Sequence, residues 1–174
     1  MEFVPAGEFI GDAHQVRTVG LRDSPQLPDG NYRFVDTYCT DPACDCRKTM
    51  ILVYRDDLHV STINFGWESA DFYRKWMGDS SEDDISVFMR GASIDITSPD
   101  RVSARGILAF FLALLDESWT AKFQKHYAGV KARLAETALK KSEFRVKPNN
   151  RKQRLNKSRK SWSTSVENDL ELLF

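Results

Sequence analysis

The 174-residue chain is predicted to be α+β: a small antiparallel meander carrying a Cys loop, packed by C-terminal helices and followed by a flexible basic tail. Three observations predict this. Three neighbouring segments between Tyr32 and Phe65 read as strands, the first and third alternating along the chain and the second rich in β-branched and apolar residues. Apolar residues then recur at helical spacing between Ile107 and Ala138. All three cysteines fall within eight residues, Cys39 to Cys46, between the first two of those strands.

Taken in order, residues 1–30 contain Pro5, Pro25, Pro28 and Gly30, which leave room for one short strand around Gln15 to Val19. Tyr32 to Tyr38 is the first meander strand and Lys48 to Tyr54 the second. Arg55-Asp56-Asp57 is the turn, and Leu58 to Phe65 returns until Gly66 closes it. Glu68 to Trp76 reads as a short helix with Phe72, Tyr73 and Trp76 inward. Gly78 to Asp84 is an acidic loop, with short strands expected at Ile85 to Phe88 and Ser93 to Ile96.

Ser98-Pro99-Asp100 is a helix start: a capping hydroxyl, a proline suited to the first turn, and an acid at the positive dipole end. The helix it opens is apolar almost all round from Ile107 to Leu115, which places it centrally in the core. A second helix carries one apolar stripe, Trp119, Phe123, Tyr127, Val130, Leu134 and Ala138. Lys147-Pro148-Asn149-Asn150 ends regular structure. The expected organisation is a compact domain over residues 1–140, with its Cys loop at 39–46. A disordered basic tail over 141–174 follows, with an acidic-apolar tip.

Composition narrows the classes. No run reaches the ~18–20 apolar residues of a membrane-spanning helix, so no membrane partner is expected. An odd number of cysteines argues against a secreted disulfide scaffold, and Met1 to Pro5 lacks the basic and apolar regions of a signal peptide. A cytoplasmic location is the expectation. Net charge is zero, yet residues 140–160 hold ten basic residues against Glu143 alone. Like-charged blocks at one end mark an interaction tail.

The cysteines are spaced Cys39-x4-Cys44-x-Cys46, on a loop that Asp41-Pro42 bends. Thiolates gathered on a short loop are how a chain assembles zinc ligands, commonly four in a structural site. Glu68, Asp41 and Asp45 are the expected sources of a fourth ligand, with His14, His126 or a water as alternatives. His59 is excluded, because its place beside the turn puts it ~20 Å away at about 3.3 Å per residue. Two other readings fit the spacing: three small buried residues on a turn, or a redox pair of Cys44 and Cys46. Zinc, if held, is expected to be structural, since no His-Glu-x-x-His pattern supplies the ligands and base of zinc hydrolysis.

The tail combines Arg151, Lys152, Arg154, Lys157, Arg159 and Lys160 with Trp162. Dense positive charge suits phosphate backbones through counterion release, and an indole can stack on a base. Alternatively the tail is solvated, or folds back on the acidic body. The final Asp169-Leu170-Glu171-Leu172-Leu173-Phe174 resembles the terminal peptides with which bacterial replication proteins grip the sliding clamp, Asp169 standing where glutamine is favoured. That resemblance implies a protein partner for Leu170, Leu172, Leu173 and Phe174.

The expected function is therefore a zinc-binding accessory or adaptor protein that touches nucleic acid, or a nucleic-acid-associated partner, through its tail. The competing expectation is a small metal-dependent hydrolase of nuclease or phosphodiesterase type, with Asp36 and Glu68 converging near the Cys loop. His59 is expected to pack half-buried, and His126 to lie on an exposed helix face.

Overall fold

The computed structural model describes residues 2–11, 17–78, 89–99 and 101–146. The chain divides into two units, Met1–Glu136 and Thr137–Phe174. The first holds the sheet and the cysteines; of the second, the described part is the end of one helix. His14, the acidic loop beyond Gly78, the strand expected at Ile85 to Phe88, and Asp100 lie outside the described residues. So do Arg151, Lys152, Arg154, Lys157, Arg159, Lys160, Trp162, Leu170, Leu172, Leu173 and Phe174.

The strands are β1 (Phe3–Pro5), β2 (Arg17–Leu21), β3 (Gly30–Cys39), β4 (Lys48–Arg55), β5 (Leu58–Gly66) and β6 (Gly91–Ile94). The helices are α1 (Ala6–Ile10), α2 (Ala70–Met77), α3 (Arg101–Leu114) and α4 (Glu117–Val146). All pairings are antiparallel, in the order β1-β3-β4-β5-β6, with β2 also on β3. The expected meander is β3-β4-β5. β1 pairs residues 37–39 of β3 and β2 pairs residues 30–34, so two short strands share its outer edge.

Register follows the hydrophobic pattern. Phe34 stands opposite Val53, and Ile51 opposite Ile63. With Tyr32 and Phe65 these buried side chains form one core with Ile107, Phe111, Trp119 and Phe123 of the helices. Asp56 and Asp57 turn β4 into β5 with positive φ, and the Asp56 carboxylate accepts the Asn31 N–H at 2.9 Å. Gly66 ends β5 because nothing larger fits: a Cβ there would lie 1.7 Å from the Met89 carbonyl oxygen.

Four expectations change, three about faces and one about the role of Ser98. On α2, Tyr73 is fully buried while Trp76 is 37% exposed; the helix rolls so that the Tyr73 hydroxyl can donate to the Arg47 carbonyl at 2.8 Å. On α3, among the residues whose burial is described, only Ala104, Ile107 and Phe111 are buried, and Leu112 is 49% exposed, because the helix lays one face on β5 and β6. Ser98 ties down β5: its hydroxyl accepts the Thr62 N–H at 2.8 Å and donates to the Thr62 carbonyl at 3.1 Å. On α4, His126 is only 5% exposed, lying between Phe123 and Val130 on the buried stripe.

Candidate metal centre

The Cys loop joins two neighbouring strands at the end of the sheet opposite the Asp56-Asp57 turn. Cys39 is the last residue of β3, paired with Phe3 of β1. One residue further, the Thr40 N–H still donates to the Glu2 carbonyl at 3.0 Å. Asp41 then folds the chain: its carboxylate accepts the Ala43 N–H at 2.9 Å, and its carbonyl accepts the Cys44 N–H at 3.2 Å. Arg47, at φ 43°, turns the chain into β4. The two bonds to Asp41 span two and three residues, the local turn chemistry expected of Asp beside Pro.

Longer side chains pin this loop from outside. The Arg47 guanidinium holds Asp45 at 3.1 Å and Glu68 at 3.2 Å, and lies 4.6 Å from the centre of the Phe72 ring. From α4, the Tyr127 hydroxyl donates to Asp45 at 2.8 Å, and the Lys131 ammonium donates to the Asp41 carbonyl at 2.7 Å. The loop is thereby tied to β1, α2 and α4 together.

Inside the turn the three sulfurs lie within 4.8 Å of one another, with Cys39 and Cys46 buried and Cys44 partly exposed. A tetrahedral zinc with Zn–S bonds of about 2.3 Å needs its sulfurs roughly 3.8 Å apart. The thiols therefore already stand where three thiolates around one ion would, give or take a small contraction. All three are free cysteines.

Electrostatics point the same way. Burial pushes all three thiols above the ordinary cysteine value. Cys44 adds to the rise at Cys39 and Cys46 to that at Cys44, while at Cys46 a hydrogen bond with Cys44 works against burial and Lys131 draws Cys39 and Cys46 down. Three thiolates this close together, two of them buried, repel one another unless a cation joins them, and a divalent metal is the cation that coordinates thiolates directly. Two thiolates neutralise such an ion; Lys131 stands where it offsets the third. The donor set fits a soft or borderline metal.

The fourth-ligand expectations are not met among the described residues. Asp45 is held by Arg47 and Tyr127, Glu68 by Arg47, and Asp41 by its own turn. His59 sits by the β4–β5 turn, as expected, its ring 5.4 Å from that of Tyr54. His126 is committed elsewhere: its Nδ1–H donates to Asp36 Oδ2 at 2.6 Å. The same carboxylate oxygen is 2.7 Å from the Tyr38 hydroxyl, itself 3.0 Å from the Phe123 carbonyl oxygen. Burial and the Asp36 charge hold the Tyr38 hydroxyl far above its ordinary pKa, so it stays a donor. Asp36 and Glu68 thus have different partners and do not form the carboxylate pair expected of a hydrolase.

The reading from sequence missed this Asp36–Tyr38–His126 network. A signal was present, since Trp119, Phe123, His126 and Val130 keep the spacing of a buried helix face. Comparison with protein-family models, with curated proteins and with solved structures gave no match.

Proposed function

We propose that this chain is a zinc-binding accessory protein in which Cys39, Cys44 and Cys46 hold the ion as a structural staple. The observation that carries the reading is the mutual approach of the three sulfurs to within 4.8 Å on a loop pinned from three sides. An all-sulfur donor set suits zinc in a reducing, cytoplasmic setting, where thiols persist as ligands. The ion completes its shell with one further donor, and its work is to hold the β3–β4 connection closed.

On the same reading, the basic residues of the 140–160 stretch contact nucleic acid or a nucleic-acid-associated partner, Trp162 stacks on an exposed base, and Leu170 to Phe174 enter a protein groove. The support is charge: ten basic residues against one acid in that stretch. The hydrolase reading lacks comparable support, given the separate partners of Asp36 and Glu68.

Elemental analysis of untagged protein, purified without added metal, tests the centre. About one zinc per chain, lost in Cys44→Ser, is expected; metal-free protein with three titratable thiols would overturn it. The tail is tested by anisotropy with a single-stranded oligonucleotide at two salt concentrations. Neutralising 6–10 phosphates predicts a loss of roughly 10³–10⁵ in affinity between 50 and 200 mM salt. A flat response would refute the electrostatic contact.

A further inference from the structure

A cavity of about 250 Å³ lies beside the Asp56-Asp57 turn, at the opposite end of the sheet from the cysteines. Leu27, Val60 and Ile107 give it apolar walls, together with Pro28, Pro99 and Leu58. Leu58 is 62% exposed and marks the mouth, while Leu27 and Ile107 belong to the core and form the inner end. Hydrocarbon walls offer water no hydrogen bonds, so an apolar occupant is favoured over it.

The wall carries a cation and, among the described residues, no carboxylate. Arg55 of β4 is paired with Tyr32 of β3, which puts both side chains on the sheet face that holds the core. Burial raises the Tyr32 pKa, and the half-buried Arg55 guanidinium beside its hydroxyl opposes that rise by hydrogen bond and charge. The same hydroxyl donates to the Pro28 carbonyl at 2.8 Å, so Arg55, Tyr32 and Pro28 meet at one wall. Asp56 and Asp29 also act on Tyr32, but from outside the cavity lining. Asp56 accepts the Asn31 N–H and Asp29 the Asp23 N–H, and Arg55 makes no ion pair among the described residues. His59 is occupied elsewhere, its Nε2–H donating to the Ser61 carbonyl at 3.0 Å. A guanidinium has five N–H donors in a planar fork, and one hydroxyl leaves most of them to solvent or a ligand.

We propose that this cavity binds a small hydrophobic carboxylic acid, its hydrocarbon body against Leu27, Val60 and Ile107 and its carboxylate on Arg55. A planar carboxylate matches the guanidinium fork with two parallel hydrogen bonds. Size sets the rest. A dry cavity of about 150 Å³ binds benzene, so about 250 Å³ accommodates a ring with a short acidic arm and is too small for a nucleotide. The site shares no residue with the cysteine loop and needs no metal.

The test follows assigned methyl resonances of the full-length, isotope-labelled protein. Sodium phenylpropanoate is titrated at fixed ionic strength, with phenylpropanamide as the same body without charge and acetate as the charge without the body. The Leu27, Val60 and Ile107 methyls are expected to shift saturably with phenylpropanoate, while those of Val130, in a separate cluster, stay in place. Phenylpropanamide is expected to bind about tenfold or more weakly, the worth of a charge-assisted hydrogen bond, and acetate more weakly still. Arg55→Gln should bring the acid down to the affinity of the amide; should that variant not fold, the comparison of acid with amide on the native protein reads the same contribution. No saturable shift, equal affinity for acid and amide, equal affinity for acetate, or undiminished binding in folded Arg55→Gln would overturn the proposal.

Discussion

Chelating the metal should lower the melting temperature without unfolding the domain, and the size of the drop follows from the loop. Cys39 to Cys46 encloses eight residues. Closing so short a loop restricts the unfolded chain by about 2.5 kcal/mol on the entropy relation used for cross-links. For a chain of this length each kcal/mol moves the melting temperature by ~2–4 °C, so the expected fall is about 5–10 °C. Classical zinc fingers unfold outright without metal. Here the core of Phe34, Ile51, Val53, Ile63, Phe111 and Trp119 is built without the cysteines, and β3, β4 and β5 pair along most of their length. Calorimetry of the zinc-loaded and chelator-treated protein, with far-ultraviolet dichroism at 25 °C, reads both quantities. Loss of the sheet signal at 25 °C would show that the centre organises the whole fold. An unchanged melting temperature would show that the cysteines hold nothing.

Three further outcomes are expected. His126→Ala strips a partner from the buried Asp36 carboxylate and should cost about 3–5 kcal/mol, the range for one-sided loss of a buried pair; urea unfolding at constant slope measures it. Phe111→Ala should cost about 3–5 kcal/mol as a filled core position, whereas Leu112→Ala, half exposed, should change stability by no more than roughly 0.5 kcal/mol; similar losses would mean the buried face of α3 is wrongly assigned. Burial works against the Asp95 charge, but the Thr97 hydroxyl and N–H and the Asn64 amide outweigh it and hold the carboxyl below its usual pKa. Its stabilising effect is therefore complete above the unfolded carboxylate value and disappears as pH falls through the folded one. Asp95→Asn should flatten the acid limb of stability against pH below about 4; an unchanged slope there would contradict the assignment.

The meander was legible because its signals are local. Alternation in Tyr32 to Tyr38 and Leu58 to Phe65, with the apolar run of Lys48 to Tyr54 between them, marks the strands, and the Asp56-Asp57 turn then fixes the register. The cysteine cluster was legible for the same reason, since all three lie on one loop of eight residues, although how closely the sulfurs meet depends on how that loop turns. What could not be read were choices made by partners distant in sequence. Asp36 and His126 are 90 residues apart, and Arg47 could have met any acid before the fold brought Glu68 beside it. β1 and β6 are three and four residues long, too short to carry a period. Ser98 looked like a helix cap because capping is the commonest use of a serine before proline. The hydrogen bonds it makes to Thr62 depend on where β5 lies.

The buried network and the cysteine loop hang on the same two elements, and this bears on how the metal binds. Asp36 and Cys39 are both on β3, while His126, Tyr127 and Lys131 follow one another on α4. The Asp36–His126 contact fixes α4 against β3 in the core, and from that position Tyr127 and Lys131 reach Asp45 and Asp41. A loop set this way is ordered before the ion arrives, so binding need not pay to organise the chain. It follows that damage in the core should be felt at the metal. His126→Ala, although it removes no ligand, should weaken zinc by loosening Lys131 and Tyr127. Tyr127→Phe, which loses one hydrogen bond to the loop while the core pair stays intact, should weaken it less. A competition titration against a chromogenic zinc chelator measures both, and the reverse order would separate the loop from the core.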